Sequence, residues 1–317
     1  RTSNTTVWTG TGMIVWGGSI SGTGPTNTGA RYSPASNTWT TTSTGANVPS
    51  ARSAHSAVWS GTEMIVWGGT TDKSGGRYNP TSNTWVATST GTAFFPSVRY
   101  GHTAVWTGAE MILWGGTYPT PTTVFNTGAR YVPSTDTFVA TSTGANVPSA
   151  RDGHTAVWTG TEMIVWGGKN TSFVSMNTGG RYNPSADSWT ATSTGANVPA
   201  TRYGHTAVWT GTQLIVWGGY GNSGRLNTGG RYTPSANSWL ATSTGANVPA
   251  GRGDHTTVWT GTEMIVWGGN DTVGAIVNTG GRYNPPTDTW QATSTGTNNP
   301  SARYGPPAVW TGSEMIV

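Results

Sequence analysis

The sequence predicts an all-β fold assembled from repeated four-stranded units, and three observations predict it. A double glycine returns with its first residue at Gly17, Gly68, Gly115, Gly167, Gly218 and Gly268, in steps of 51, 47, 52, 51 and 50 residues. Within each step, short apolar runs alternate with turns rich in Gly, Asn and Pro. All 18 tryptophans fall at three repeated places. A period near 50 residues marks units that bury their apolar faces only by stacking on neighbours.

The unit at 151–201 shows each element in order. "HTAVWT" (154–159) alternates apolar and polar residues and reads as a first strand, closed by the tight turn "GTE". "MIVWGG" (163–168) is apolar on both faces, as expected of a strand sandwiched between neighbouring sheets. After a variable loop, "NTGGRYNPS" (177–185) and "SWTATST" (188–194) form the third and outermost strands. The "NP" pair and "TGANVP" punctuate the turns.

Seven tryptophans lie on first strands, six precede the glycine pair, and five (Trp39, Trp85, Trp189, Trp239, Trp290) mark outer strands, where Phe138 takes the sixth place. Large rings suit the wedge between twisted sheets, so the aromatic wealth is expected to be core. The double glycine after an apolar strand, "RY" before a turn, the later Trp and "PxxR" together resemble kelch repeats of the tryptophan-rich bacterial "WGG" type. The resemblance spans essentially the whole chain. It implies a helix-free β-propeller with four-stranded blades around an axis, and it leaves chemistry open, because kelch propellers include enzymes, adaptors and surface proteins.

A single propeller domain over 1–317 is expected, with units near 1–51, 52–98, 99–150, 151–201, 202–251 and 252–302 and a partial unit at 303–317. Seven blades with an incomplete last one is the favoured count, with six as the alternative. An incomplete blade leaves ladder groups open, which invites self-association or capping by another segment. The chain accordingly reads as a processed product or an excised part of something longer.

Charged residues make up only 9% of the chain, and Thr, Ser and Asn fill most polar positions. The net charge of +4 comes from arginines at repeated positions rather than from a cluster, so no nucleic-acid patch is expected. Cysteine is absent, which excludes disulfides, thiolate metal sites and cysteine nucleophiles. No apolar run reaches the length of a membrane-spanning helix. Neither cofactor nor metal is expected.

His55, His102, His154, His205 and His255 share one repeat position, four residues before the first-strand Trp. A metal or anion ring would require nitrogens to converge on one point; the expected role is instead a hydrogen bond to a loop of the same or the next blade. Glu63, Glu110, Glu162, Glu263 and Glu314 share another position, where Gln213 and Gly12 also occur. That tolerance favours ion pairs over acid-base work, and the arginines of "RY" and of "PxxR" are both plausible partners. Catalytic residues are not assigned.

Function is expected where the copies diverge. The loop after the glycine pair and the connector between blades should emerge on one face, carrying Phe94, Phe95, Tyr118, Phe125, Phe173, Met176, Tyr220 and Leu226 as ligand-binding candidates. The expected function is a non-enzymatic extracellular or cell-surface scaffold that binds a protein or a glycan through this face. The alternatives are a structural segment of a larger array or an engineered or excised propeller without a ligand, and a kelch-type carbohydrate-active enzyme. A copper-radical oxidase would need a cysteine beside its tyrosine. An epimerase would need converging acids and bases, whereas Asp72, Asp152, Asp254 and Asp271 are the few acids outside the pattern.

Overall fold

The computed structural model of the chain describes residues 1–70, 73–91, 94–118 and 123–317. Six four-stranded antiparallel sheets, the blades of a β-propeller, follow one another along the sequence. In the fourth blade the strands Thr155–Trp158, Met163–Trp166, Gly179–Asn183 and Ser188–Ala191 lie side by side in that order. Val157 pairs with Ile164, Met163 with Tyr182, and Tyr182 with Trp189. Hairpins alone connect the strands, so each blade is a local meander. No helix occurs among the described residues.

The double glycine ends the second strand for a steric reason. Gly167 and Gly168 sit at φ of 70° and 95°, a region that L-residues avoid. The chain then leaves the sheet and the loop begins.

The chain forms two compact bodies. The first, Arg1–Thr143 with Ser149–Asp152, contains blades one to three. The second, Gly144–Pro148 with Gly153–Val317, contains blades four to six and a two-stranded sheet, Val309–Trp310 with Met315–Ile316. Within each body the core lies between consecutive blades. Val7, Ile14 and Trp16 of blade one pack on Met64, Val66, Tyr78 and Trp85 of blade two. Val157, Ile164 and Trp166 of blade four meet Leu214, Val216, Tyr232 and Trp239 of blade five in the same way. Blades two and five, each between two neighbours of the same body, have apolar residues on both faces because each face is an interface.

The tryptophans divide by position. Those before the glycine pair are buried, first-strand tryptophans are half-buried beside the turns, and four of the five outer ones are buried. Trp39 departs from the expectation that all are core, at 57% exposed.

Candidate interaction face

The repeated polar residues form a frame. His55 Nε2 shares a hydrogen bond with Thr5 Oγ1 of the preceding blade at 2.7 Å, His205 with Thr155 at 3.0 Å and His255 with Thr206 at 2.7 Å. The partner is thus a hydroxyl on the preceding blade's first strand, not a loop as the sequence suggested. Each ring also stands edge-on to the preceding blade's buried tryptophan, as in Trp16–His55 at 5.3 Å. A Cβ on Gly17 would lie 2.5 Å from His55 Cε1, and one on Gly218 would lie 2.6 Å from His255 Cε1. The glycine and the histidine of the next blade are therefore two halves of one contact.

Burial governs the electrostatics of this frame. Desolvation, with Arg52 alongside, lowers His55 to about 3, and burial beside Arg252 lowers His255 to about 3. His205 is driven in the same direction by burial and by Arg202. These imidazoles are neutral at pH 7. Among the described residues no group of three His, Cys, Asp or Glu side chains is placed to hold a metal ion.

The "PxxR" arginines grip backbone. Arg202 is fully buried, with Nε donating to Ala200 O at 3.0 Å and Nη1 donating to Gly218 O and Thr228 O at 2.9 and 2.6 Å. Arg99 and Arg252 repeat the arrangement, and Arg1 donates to Gly17 O and Thr28 O in blade one. Desolvation lowers Arg202 to about 10, which leaves it charged at neutral pH. The glutamates go instead to the "RY" arginines: Arg77–Glu63 and Arg130–Glu110 at 3.7 Å, Arg181–Glu162 and Arg282–Glu263 at 3.6 Å. Arg77, Arg181 and Arg231 also donate to the next blade's proline carbonyl, as in Arg181 to Pro234 O at 2.8 Å, whereas Arg282 donates to Gln291 Oε1 of its own blade.

Clefts of about 730 and 430 Å³ open beside the tight turns of blades five and six and of blades one and two. Both are lined by residues at repeated places, such as Arg231 and Pro285 in one and Arg31 and Pro80 in the other. They lack a singular set of polar groups, and neither contains a loop candidate.

On the other face, the loop after the glycine pair hydrogen-bonds to the segment leading into the same blade. Thr2 pairs with Ser19, Tyr100 with Thr117 and Tyr203 with Tyr220. The expected convergence of the two loops is therefore present within the blades. The eight candidate side chains, however, take four different roles.

Phe94 and Phe95 fold back instead of lining the face. They are half-buried against the cluster of Val58, Trp67, Met111 and Phe138, and the Phe95 ring stands 5.0 Å from Phe138. Phe138 is the one outer-strand ring smaller than tryptophan, and Phe95 packs directly against it. Phe125, Met176 and Leu226 share one repeat position, half-buried. Their N–H groups donate to Gly116 O, Gly168 O and Gly219 O, and their carbonyls accept from Arg151, Arg202 and Arg252. They clamp the loop to the blades. Tyr118 is 39% exposed, beside residues 119–122, which lie outside those described, as does Asp72.

Tyr220 and Phe173 remain, and they belong to a set that repeat logic did not assemble. Tyr220 stacks on Tyr203 at 5.2 Å with 21° between planes. Its hydroxyl donates to Asp254, and burial followed by this bond raises its pKa. Lys169 Nζ lies 4.7 Å from the Tyr203 ring and 4.5 Å from the Phe173 ring. The sequence of groups is thus Phe173, Lys169, Tyr203, Tyr220 and Asp254, all within the second body.

Phe173 is the unusual member. It is 71% exposed and sits at φ 59°, held in a turn where Asn170 Oδ1 accepts from Ser172 N and Val174 N at 2.9 and 3.0 Å. The loop of blade six builds the same turn on Asp271, whose Oδ1 accepts from Val273 N and Ala275 N at 3.0 and 2.9 Å. Gly274, at φ 88°, occupies the place of Phe173 there. A left-handed phenylalanine is strained by about 1 kcal/mol or more. Val174, Val273 and Ile276 at these two loops are 55, 85 and 52% exposed.

Sequence reading missed Lys169, Tyr203, Val273 and Ile276. A signal for Tyr203 was present: the residue after the "PxxR" arginine varies as Ser53, Tyr100, Asp152, Tyr203, Gly253 and Tyr304, which is divergence inside a repeated segment.

Blades of this topology, with glycine pairs, buried arginines and outer tryptophans in register, define a kelch-type β-propeller. The KLHDC2/KLHL20/DRC7 Kelch-repeats domain model matches residues 3–137 and 101–317, and the chain belongs to that family. No curated protein matches it.

Proposed function

We propose that this chain is a protein-binding scaffold and that its partner contacts the loop face of the second body. Kelch domains are in general protein-interaction modules, and the observation that carries the reading further is Phe173. It is an exposed aromatic ring held in a strained backbone, where the equivalent turn uses glycine, and it adds nothing to the buried core. With Val174, Val273 and Ile276 it supplies apolar contact area, and Lys169 supplies a cation beside it. A partner segment with an apolar side chain next to a carboxylate suits this chemistry. The repeated polar residues are engaged in the frame, which supports binding rather than catalysis as the role of the domain. An extracellular or cell-surface setting is part of the proposal, supported by the sparse charge and hydroxyl-rich composition.

The test is selection of ligands from a displayed peptide library, in parallel with a glycan array, on the full chain and on a Phe173→Gly, Val273→Ser variant. Enrichment of peptides that bind only the unaltered chain supports the proposal. Ligands of either kind that bind both forms equally would move the site elsewhere, and loop-dependent glycans without peptides would replace protein by carbohydrate as the partner class.

A further inference from the structure

Every blade carries an "RY" arginine on its third strand, and most carry a glutamate beside it at the tight turn. Arg77, Arg130, Arg181 and Arg282 lie 3.6 or 3.7 Å from Glu63, Glu110, Glu162 and Glu263. Blades one and five lack that glutamate and have Gly12 and Gln213 in its place. The clefts of about 430 and 730 Å³ open at these same two blades. Loss of the acid and open space beside the arginine coincide.

The two arginines left behind differ in what remains near them. Gln213 turns its Nε2 to Thr233 Oγ1 at 3.0 Å, but Asp288 of blade six stands 3.9 Å from Arg231 Nη2. A carboxylate is therefore still at hand in blade five. In blade two the residue at the place of Asp288 is the uncharged Asn83. Arg31 Nη1 donates to Pro80 O, as Arg231 Nη1 does to Pro285 O at 2.7 Å. That is its one hydrogen bond among the described residues, none of which brings a carboxylate within ion-pair distance, and its Nε is buried without a partner. Arg31 is also the one charged residue lining the smaller cleft, among Thr9, Thr11, Ser33, Thr40 and Thr81. A half-buried guanidinium with most donors unpaired is costly. Open space lies where its sister arginines hold a glutamate.

We propose that this cleft binds a carboxylate on a short alkyl arm, the chemistry of a glutamate side chain, with the Arg31 guanidinium as its ion partner. The arm is short because in the sister blades two methylenes carry the carboxylate from the turn to the arginine. Guanidinium and carboxylate are matched in shape as well as charge, and the hydroxyl-bearing residues around Arg31 suit the polar remainder of the ligand. The cleft lies between blades one and two inside the first body, at the turn after the first strand rather than at its entry. It is separate from the loops assigned to partner binding, so the inference does not rest on that assignment.

The experiment follows the Arg31 Nε–H and the backbone amides of Thr11 and Thr81 in nitrogen-15 NMR spectra of the full chain. The probes are propionate and N-acetylglutamate amidated at its main-chain carboxyl, with the corresponding glutamine compound as the neutral counterpart. Saturable shifts with a Kd of about 1 mM are expected for the two carboxylates and none for the glutamine compound. Tighter binding of the glutamate probe than of propionate marks a polypeptide side chain as the source of the ligand; equal binding marks a free small acid. Gly12→Glu supplies the missing group from within the chain, at a place where sister turns carry it, and should abolish the response. Arg31→Gln should abolish the amide shifts while the amides of blade five keep their positions, which separates loss of the site from loss of the fold. No saturable shift by about 10 mM probe, tenfold beyond the expected Kd, overturns the proposal. An equal response to the glutamine compound, or an undiminished one in the Gly12→Glu chain, overturns it as well.

Discussion

Gly274 and Phe173 occupy the same place in two turns of the same design, and the contrast separates scaffold from function. At Gly274 the left-handed backbone is met by the residue best suited to it; at Phe173 the same backbone carries a ring that points mostly into solvent. The buried glycine pairs show no such conflict. Gly218 is left-handed at φ 70°, is a glycine, and leaves the space that His255 fills. Agreement between local preference and packing is what folding selects, so a local violation at an exposed ring points to binding.

The comparison can be broken most severely in the frame. Arg202→Met leaves Gly218 O and Thr228 O without their donor in a buried setting, and the expected loss is more than about 3 kcal/mol by denaturant unfolding. Gly218→Ala adds backbone strain and a clash with His255, for an expected loss of about 2–3 kcal/mol. Adding His255→Ala should recover part of that clash, so a double-mutant cycle should give a coupling of about 1 kcal/mol. A cycle without coupling would mean that the glycine and the histidine act independently.

Acid sharpens the same contrast. His55 and His255 fall from 6.5 to about 3 on folding, and His205 moves the same way. The unfolded chain therefore binds more protons below pH 6.5. Stability is complete above that pH and is lost as pH falls toward 3, at about 1.4 kcal/mol per pH unit for each such imidazole. Urea midpoints between pH 7 and pH 4 should show the decline, and His255→Gln should make it shallower.

Most of the frame was legible because it repeats. The glycine pairs, the strand order and the burial of the tryptophans before them follow from period and alternation. Partnerships were less legible, since His255 meets Thr206 and Gly218 across a blade boundary, at separations that no local pattern encodes. Both sets of arginines looked alike as partners for glutamate, and only burial distinguishes Arg202 on carbonyls from Arg181 beside Glu162. Phe95 looked like a surface aromatic because its packing against Phe138 lies 43 residues away. The loop face was read as a region, but Phe173 could be set apart from Met176 only by backbone conformation and exposure.

The smallest energetic effect tests the central claim most directly. Phe173→Gly should raise stability by about 1 kcal/mol by relieving the left-handed backbone, while binding of library-selected peptide ligands is lost. The measurement is thermal unfolding and peptide affinity on the same two samples. A stability gain with lost binding is the predicted result; a fall in the unfolding midpoint with binding intact would show that Phe173 belongs to the frame and that the binding face lies elsewhere.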